Sequence, residues 1–306
     1  MNLTLNSPKK SLNKAYLKEK VSRSHIEDFK RNLELLFERI NENESEEHLK
    51  NVLAVFLNDS WYTNQKEINT KGRSDLAMYY GRTSKDSVGV IFEVKHPNNK
   101  SEMINTSRFN VKAFHELILY YLRERVDHNN LDIKYLVVTN IYEWFIFDEN
   151  WFEINIYRNP KLRKEYENWK LSGKDTRSFY EGYAKDYLNT ITENIDCTYF
   201  DLRNFKDSSS KNSKLNDKNL IPLYKVLSPT SLLKQAFAND SNSLDKKFYS
   251  ELLYIIGLEE KKVGGRKIIQ RSSNPSYSTL IENTILQLEE RDCIRKLDTP
   301  SNYGIN

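Results

Sequence analysis

The chain has 306 residues, with 47 Lys plus Arg against 43 Asp plus Glu and a formal net charge of +4. At ~150 residues per domain this predicts about two domains, and so weak a global charge confines any nucleic-acid footprint to local patches. Aromatic residues make up 12% of the chain, with only nine glycines and seven prolines, which excludes disordered and collagen-like architectures. Cys197 and Cys293 are too few and too distant for a disulfide scaffold or a four-ligand zinc site. They read as reduced thiols, so a cytoplasmic location is expected. No run approaches the ~18 apolar residues of a membrane span, and the N-terminus lacks the apolar stretch of a signal peptide.

Residues 1–30 form an expected basic N-terminal arm. Up to Arg31 there are eight basic residues against Glu19, Glu27 and Asp28. Such a run is either a solvated surface or a phosphate-contacting arm. Ile26, Phe29, Leu33, Leu36, Phe37 and Ile40 recur at threes and fours, predicting an amphipathic helix over 24–41. A second helix is predicted over 45–57, with Ser45 as N-cap, Glu46 and Glu47 at its positive end, and a stripe of Leu49, Val52, Leu53, Phe56 and Leu57.

Strands are expected near 62–70, 74–80 and 88–95, the last ended by Pro97-Asn98-Asn99. A helix over 108–126, an apolar strand over 135–140 and another over 143–148 follow, with NWFEINIY extending or following the last. Helix, three strands, helix, two strands predicts a mixed α/β sheet with helices on its faces. Residues 160–200 read as helical. Residues 206–219 are polar and serine-rich, a linker. Residues 220–306 read as a small all-α region, with Gly264-Gly265 as a turn between charged helices.

One constellation carries chemistry. Asp75 lies on the second strand, and Glu93 and Lys95 lie two apart on the third, hence on one face. Seventeen residues separate Asp75 from Glu93, enough for the chain to turn and return alongside. Glu93 interrupts the apolar run Val90, Ile91, Phe92, Val94, where an unpaired charge is costly. The bland alternative is a Glu–Lys pair at a solvent-facing strand end with Asp75 in a turn. Two carboxylates with the Val94 carbonyl form a hard-oxygen donor set suited to Mg²⁺, with Lys95 beside the attacking water.

At these residues the chain resembles the PD-(D/E)xK nuclease superfamily: an acid on one strand, Glu-x-Lys on the next, often a Glu on the preceding helix. Asp75, Glu93 and Lys95 match; the pattern's proline does not, Ser74 standing before Asp75. For the helix acid Glu46 is preferred to Glu47, since at about 100° per residue it lies near the Leu49/Leu53/Leu57 face. A dipole-favouring first-turn acid is the alternative for Glu46. Glu116 and Tyr120 sit at the spacing of a Gln-x-x-x-Tyr pair found in some branches, with Glu for Gln. Lys112 and Glu116 are equally read as an exposed i,i+4 salt bridge. His115 reads as a surface residue.

A wider resemblance runs over residues 11 to 290. The run from KSLNKAYLKEK to NVLAVFLND, then NTKGRSDLAMYYG, VIFEVKHPNNKSEM, KAFHELILYYLRER and VVTNIYEWFIFD, is similar to the N-terminal nuclease portion of type IIG restriction–modification enzymes. LIPLYKVLSPTSLLKQAF and STLIENTI are similar to the start of their helical connector. The resemblance implies a nuclease domain over 31–205, a linker over 206–219 and a truncated connector over 220–306. It implies a Mg²⁺-dependent endonuclease acting on double-stranded DNA with little sequence specificity of its own. It also implies methyltransferase and target recognition domains, in the parent polypeptide or a separate chain, and a possible transient dimer on DNA. The basic arm and Lys161, Arg163, Lys164, Lys170, Lys174 and Arg177 would meet phosphates. No S-adenosylmethionine site is expected: Asn274-Pro275-Ser276-Tyr277 resembles a methyltransferase loop only superficially, without a glycine-rich cofactor loop before it. The rival reading is a catalytically silent DNA-binding or assembly module of the same fold. A nuclease acting on RNA is a third.

Overall fold

The computed structural model describes residues 3–62, 66–71, 74–208, 217–237, 246–263 and 266–271, with backbone alone at 70, 71, 74, 75, 206–208, 246, 247, 250, 262, 263, 266 and 267. Cys293, the Asn274–Tyr277 stretch and the helix expected after it lie outside the described residues. Two compact units divide at 239/240.

The first unit opens with a short strand, β1 (Leu3–Asn6). Two brief helices follow: α1 (Pro8–Ser11), with proline at its first turn, and α2 (Lys14–Lys18), capped by the Asn13 side chain. Next come α3 (Arg23–Arg39) and α4 (Glu46–Leu57), whose first free amides are taken by the Ser22 and Ser45 hydroxyls. Both bury the stripes their periodicity predicts. Beyond α4 a π-helical turn covers Asn58–Tyr62. The strand expected from 62 therefore begins only at β2 (Ile68–Lys71), and is followed by β3 (Ser74–Tyr79) and β4 (Val88–Val94).

The crossover helix is α5 (Lys112–Leu122), leading to β5 (Tyr135–Thr139) and β6 (Glu143–Asp148). NWFEINIY forms helical turns instead of strand, starting with α6 (Glu149–Phe152), because the Asp148 carboxylate caps the amide of Asn150. Helices α7 (Pro160–Ser172), α8 (Thr176–Ser178) and α9 (Lys185–Thr190) follow. The predicted helical stretch then gives way to β7 (Ile195–Asp201), whose Ile195, Cys197 and Phe200 are buried in the sheet. α10 (Asp217–Val226) and α11 (Pro229–Leu232) complete the unit.

The seven strands form one mixed sheet in the order β1-β7-β6-β5-β4-β3-β2. β2, β3 and β4 make an antiparallel meander, and α5 carries the chain over to β5, which runs parallel to β4. The protein is thus a mixed α/β fold with helices on both faces. One face packs Ala77, Ile91, Val138, Phe145 and Phe147 against Phe114, Leu117, Tyr121 and Phe152. The other packs Phe92, Val94, Val137 and Trp144 in a core shared with Phe29, Leu33, Leu53 and Phe56. Each such fully buried side chain contributes about 1.5–3 kcal/mol of transfer free energy.

Residues 3–30 are built into this unit instead of forming a free arm. β1 pairs in parallel with β7, Leu3 opposite Ile195. Lys30 is buried and holds Asp217 at 2.7 Å, and Arg23 pairs with both Glu27 and Asp217. Lys225 donates to the carbonyls of Tyr16 (2.6 Å), Leu17 (3.1 Å) and Glu19 (2.6 Å), fastening the end of α2 to α10. Helices α10 and α11, read from sequence as connector, therefore belong to the first compact unit, beyond the polar stretch at 206–219.

The second unit contains α12 (Lys246–Ile255) and a hairpin of β8 (Leu258–Val263) and β9 (Arg266–Arg271). The all-α expectation fails at this hairpin. Val263 pairs with Arg266, so a two-residue Gly-Gly connection joins the strands, a strong hairpin signal. No described helix is long and apolar enough to cross a membrane.

Candidate active site

The candidate site lies at the C-terminal end of β4. Strand alternation gives Glu93 the parity of Ile91, so it faces α5. β4 is buried along its whole length, and Glu93 is 0% and Lys95 5% exposed. Lys95 extends the β4–β5 pairing by donating its backbone amide to the Thr139 carbonyl at 2.8 Å. Its ammonium lies 2.5 Å from Glu93 Oε1 and 2.7 Å from Glu116 Oε2, with Glu102 Oε2 at 3.9 Å. Burial alone would lower the Lys95 pKa, but Glu93 and then Glu116 outweigh it and hold the pKa well above the ordinary 10.5. Lys95 is accordingly an ammonium at every physiological pH.

The antiparallel register of β3 and β4 sets Leu76 opposite Phe92. Position 75 thus lies at the same end of the strand pair as position 93. The side chain of Asp75 itself lies outside the described residues. Val94 is fully buried and opposite Thr139.

The two candidate helix acids behave differently. The Glu46 carboxylate accepts the backbone amide of His96 at 3.1 Å, joining the N-terminus of α4 to the residue after Lys95. Glu47 is exposed on the other side of the turn. Lys50 lies 3.7 Å from Glu46 and 3.5 Å from Glu47.

α5 supplies the far wall. Glu116 turns to Lys95, while Lys112 pairs with Glu102 at 3.0 and 3.1 Å; the exposed Lys112–Glu116 bridge expected from spacing gives way to these two tertiary pairs. Burial tends to raise the Glu102 pKa, but the Lys112 hydrogen bond and charge bring it below the ordinary carboxylate value. Tyr120 is buried a turn further on, with the Arg123 guanidinium 5.9 Å from its ring centre. His115 is buried, not at the surface, and hydrogen-bonds Asn110; burial and then the Lys185 charge push its pKa down to about 4. Glu102 was invisible to spacing rules because it lies in the irregular loop between β4 and α5.

Three carboxylates, Glu93 from β4, Glu116 from α5 and Glu102 from the loop between them, therefore surround Lys95 and Lys112 at one strand end. Among the described residues no group of His, Cys, Asp or Glu is arranged as a ready metal-ligand cluster.

Residues 6–240 match the family described as "Domain of unknown function (DUF7149)". The chain belongs to the DUF7149 family. Its DUF7149 portion takes in the whole seven-stranded sheet from Asn6 onward and every residue of the candidate site. Residues 241–306 are similar to a second family, "Domain of unknown function (DUF7814)", and this division falls beside that of the two compact units. No curated protein and no solved structure matches the chain.

In this DUF7149 chain the basic stretch 161–177 is partly committed within the fold. Lys170 pairs with Asp127 at 2.9 Å and Arg177 with Glu181 at 2.8 Å, and Arg163 lies 5.4 Å from the Tyr157 ring centre. Lys161 and Lys174 stay exposed.

Proposed function

We propose that the α/β unit is a Mg²⁺-dependent DNA endonuclease module of the PD-(D/E)xK type, related to the nuclease portion of type IIG restriction–modification enzymes. The observation that carries this reading is the buried Glu93–Lys95 pair at the end of β4, where Glu46 arrives from α4 and the β3–β4 register brings position 75 alongside.

The donor chemistry fits a hard divalent cation. Carboxylates outnumber ammonium groups at the strand end, and a cation there would relieve their mutual repulsion. Glu93, Asp75, the Val94 carbonyl and, at the edge, Glu46 would hold it. Mg²⁺ in that position supplies positive charge to the phosphate and lowers the pKa of water. Lys95 serves as a hydrogen-bond donor to the attacking water or to charge developing on the phosphate. Glu116 holds the ammonium in place from α5. Base readout belongs to other domains, so cleavage by this module alone has little sequence preference.

The test is nicking of supercoiled plasmid DNA with and without Mg²⁺, by wild type, Lys95→Ala and Asp75→Ala. Metal-dependent nicking by wild type alone supports the reading; equal rates in all three overturn the site. A second reading, a silent DNA-binding module, is favoured by the direct contact of Lys95 with Glu93, which neutralises a proposed metal ligand internally. Salt-dependent duplex binding without any metal-dependent nicking would select it.

A further inference from the structure

The residue after Lys95 is organised in a way neither reading uses. His96-Pro97-Asn98-Asn99 forms a β-turn: the Asn99 amide donates to the His96 carbonyl at 2.9 Å. Pro97 sets φ at the first central position, and asparagine suits the second. The His96 amide is held by Glu46 Oε2 at 3.1 Å, so both backbone groups of His96 are fixed.

The turn also fixes the ring. The Asn98 amide, free of the turn's own hydrogen bond, donates to His96 Nδ1 at 3.1 Å. An amide N–H only donates, so Nδ1 is the acceptor and the ring N–H is on Nε2. Nε2–H has no partner among the described residues. The half-buried ring thus carries one oriented, uncommitted donor beside Lys95.

We propose that His96 is a phosphate-binding residue of this site, its Nε2–H donating to a non-bridging oxygen of the DNA backbone. This rests on the reading of the unit as a DNA-acting module. A polyanion docked at the end of β4 offers the acceptor that the oriented donor lacks, and the turn holds the ring before DNA arrives, so little side-chain entropy is lost on binding.

Two substitutions separate a binding role from a bracing one. His96→Asn retains an acceptor for the Asn98 amide through Oδ1 but loses the reaching donor. His96→Ala loses both. Binding of a fluorescein-labelled DNA duplex is measured by anisotropy in EDTA across a salt series, alongside thermal unfolding of each variant. Both variants are expected to bind about tenfold more weakly, the size of one hydrogen bond to a charged group, with His96→Asn unfolding at the wild-type temperature. His96→Asn binding like wild type would overturn the proposal and reduce His96 to a turn brace. Absence of duplex binding by wild type would overturn it outright. Failure of the nuclease reading is seen separately, as wild-type protein that binds duplex but does not nick it with Mg²⁺.

Discussion

Lys95 and Glu116 meet at 2.7 Å, joining the end of β4 to the middle of α5. Glu93 lies on the other side of the same ammonium. One cation therefore neutralises two carboxylates drawn from a strand and a helix, and its removal exposes both to an uncompensated environment.

Lys95→Ala is expected to lower the unfolding free energy by about 3–5 kcal/mol at neutral pH, since it strands Glu93 in the core. Glu116→Gln should cost less than about 1 kcal/mol, because its amide oxygen still accepts from Lys95. Urea unfolding at neutral pH checks the order of the two; equal losses would contradict it.

Under the nuclease reading Glu116 and Glu102 differ in weight. Glu116 touches Lys95 directly and Glu102 stands 3.9 Å away, committed to Lys112. Glu116→Gln is expected to slow single-turnover cleavage by about tenfold, the value of one charge-assisted hydrogen bond. Glu102→Gln should slow it by less than about threefold. Single-turnover rates at saturating Mg²⁺ give the comparison.

His115 predicts an acid-side loss of stability. Its folded pKa, about 4, lies below the ordinary 6.5, chiefly through burial. The unfolded chain then binds more protons between these values, so the contribution is complete above 6.5 and falls as pH drops towards 4. The loss from this group is at most about 3 kcal/mol. His115→Gln, which can still bond Asn110, should flatten the pH 4–6.5 portion of the stability curve measured by chemical denaturation.

Lys225 predicts local loosening. Its ammonium is buried, and burial lowers its pKa against the opposing Glu19 charge. Lys225→Met removes three carbonyl contacts at the end of α2 while keeping the aliphatic bulk. Amide hydrogen exchange over residues 14–20 should accelerate by about tenfold or more, with the strands of the central sheet unchanged. Acceleration spread evenly through the sheet would argue for global destabilisation instead.

The central elements were legible because burial imposes periodicity on them. α3 and α4 show their stripes at threes and fours, β4 is apolar throughout but for Glu93, and β5 is short and apolar. β1 has four residues and half of them exposed, too little for a pattern. The hairpin strands carry Glu-Glu-Lys-Lys and Arg-Lys, charges that fit a helix surface as well as an open strand. At the site, the Glu93–Lys95 pairing followed from strand alternation and the Glu46 preference from helix geometry. Glu102 could not be found that way: its role arises from a loop folding back on Lys112, and the local i,i+4 rule gave Lys112 the wrong partner. Burial of His115 likewise depends on α5 packing against the helical turn at 179–184, far away in sequence.

The sheet's far edge bears on synthesis. β7 lies between β6 and β1, with Leu3 opposite Ile195. Of these seven strands β1 is made first, and it has no strand beside it until β7, made last, follows. During translation the meander of β2–β4 can pair locally, whereas Leu3–Asn6 must wait as an open segment for nearly the whole first unit. Closing that long loop is an entropic step late in folding, and it places Leu3–Asn6 among the last parts of the sheet to acquire native contacts.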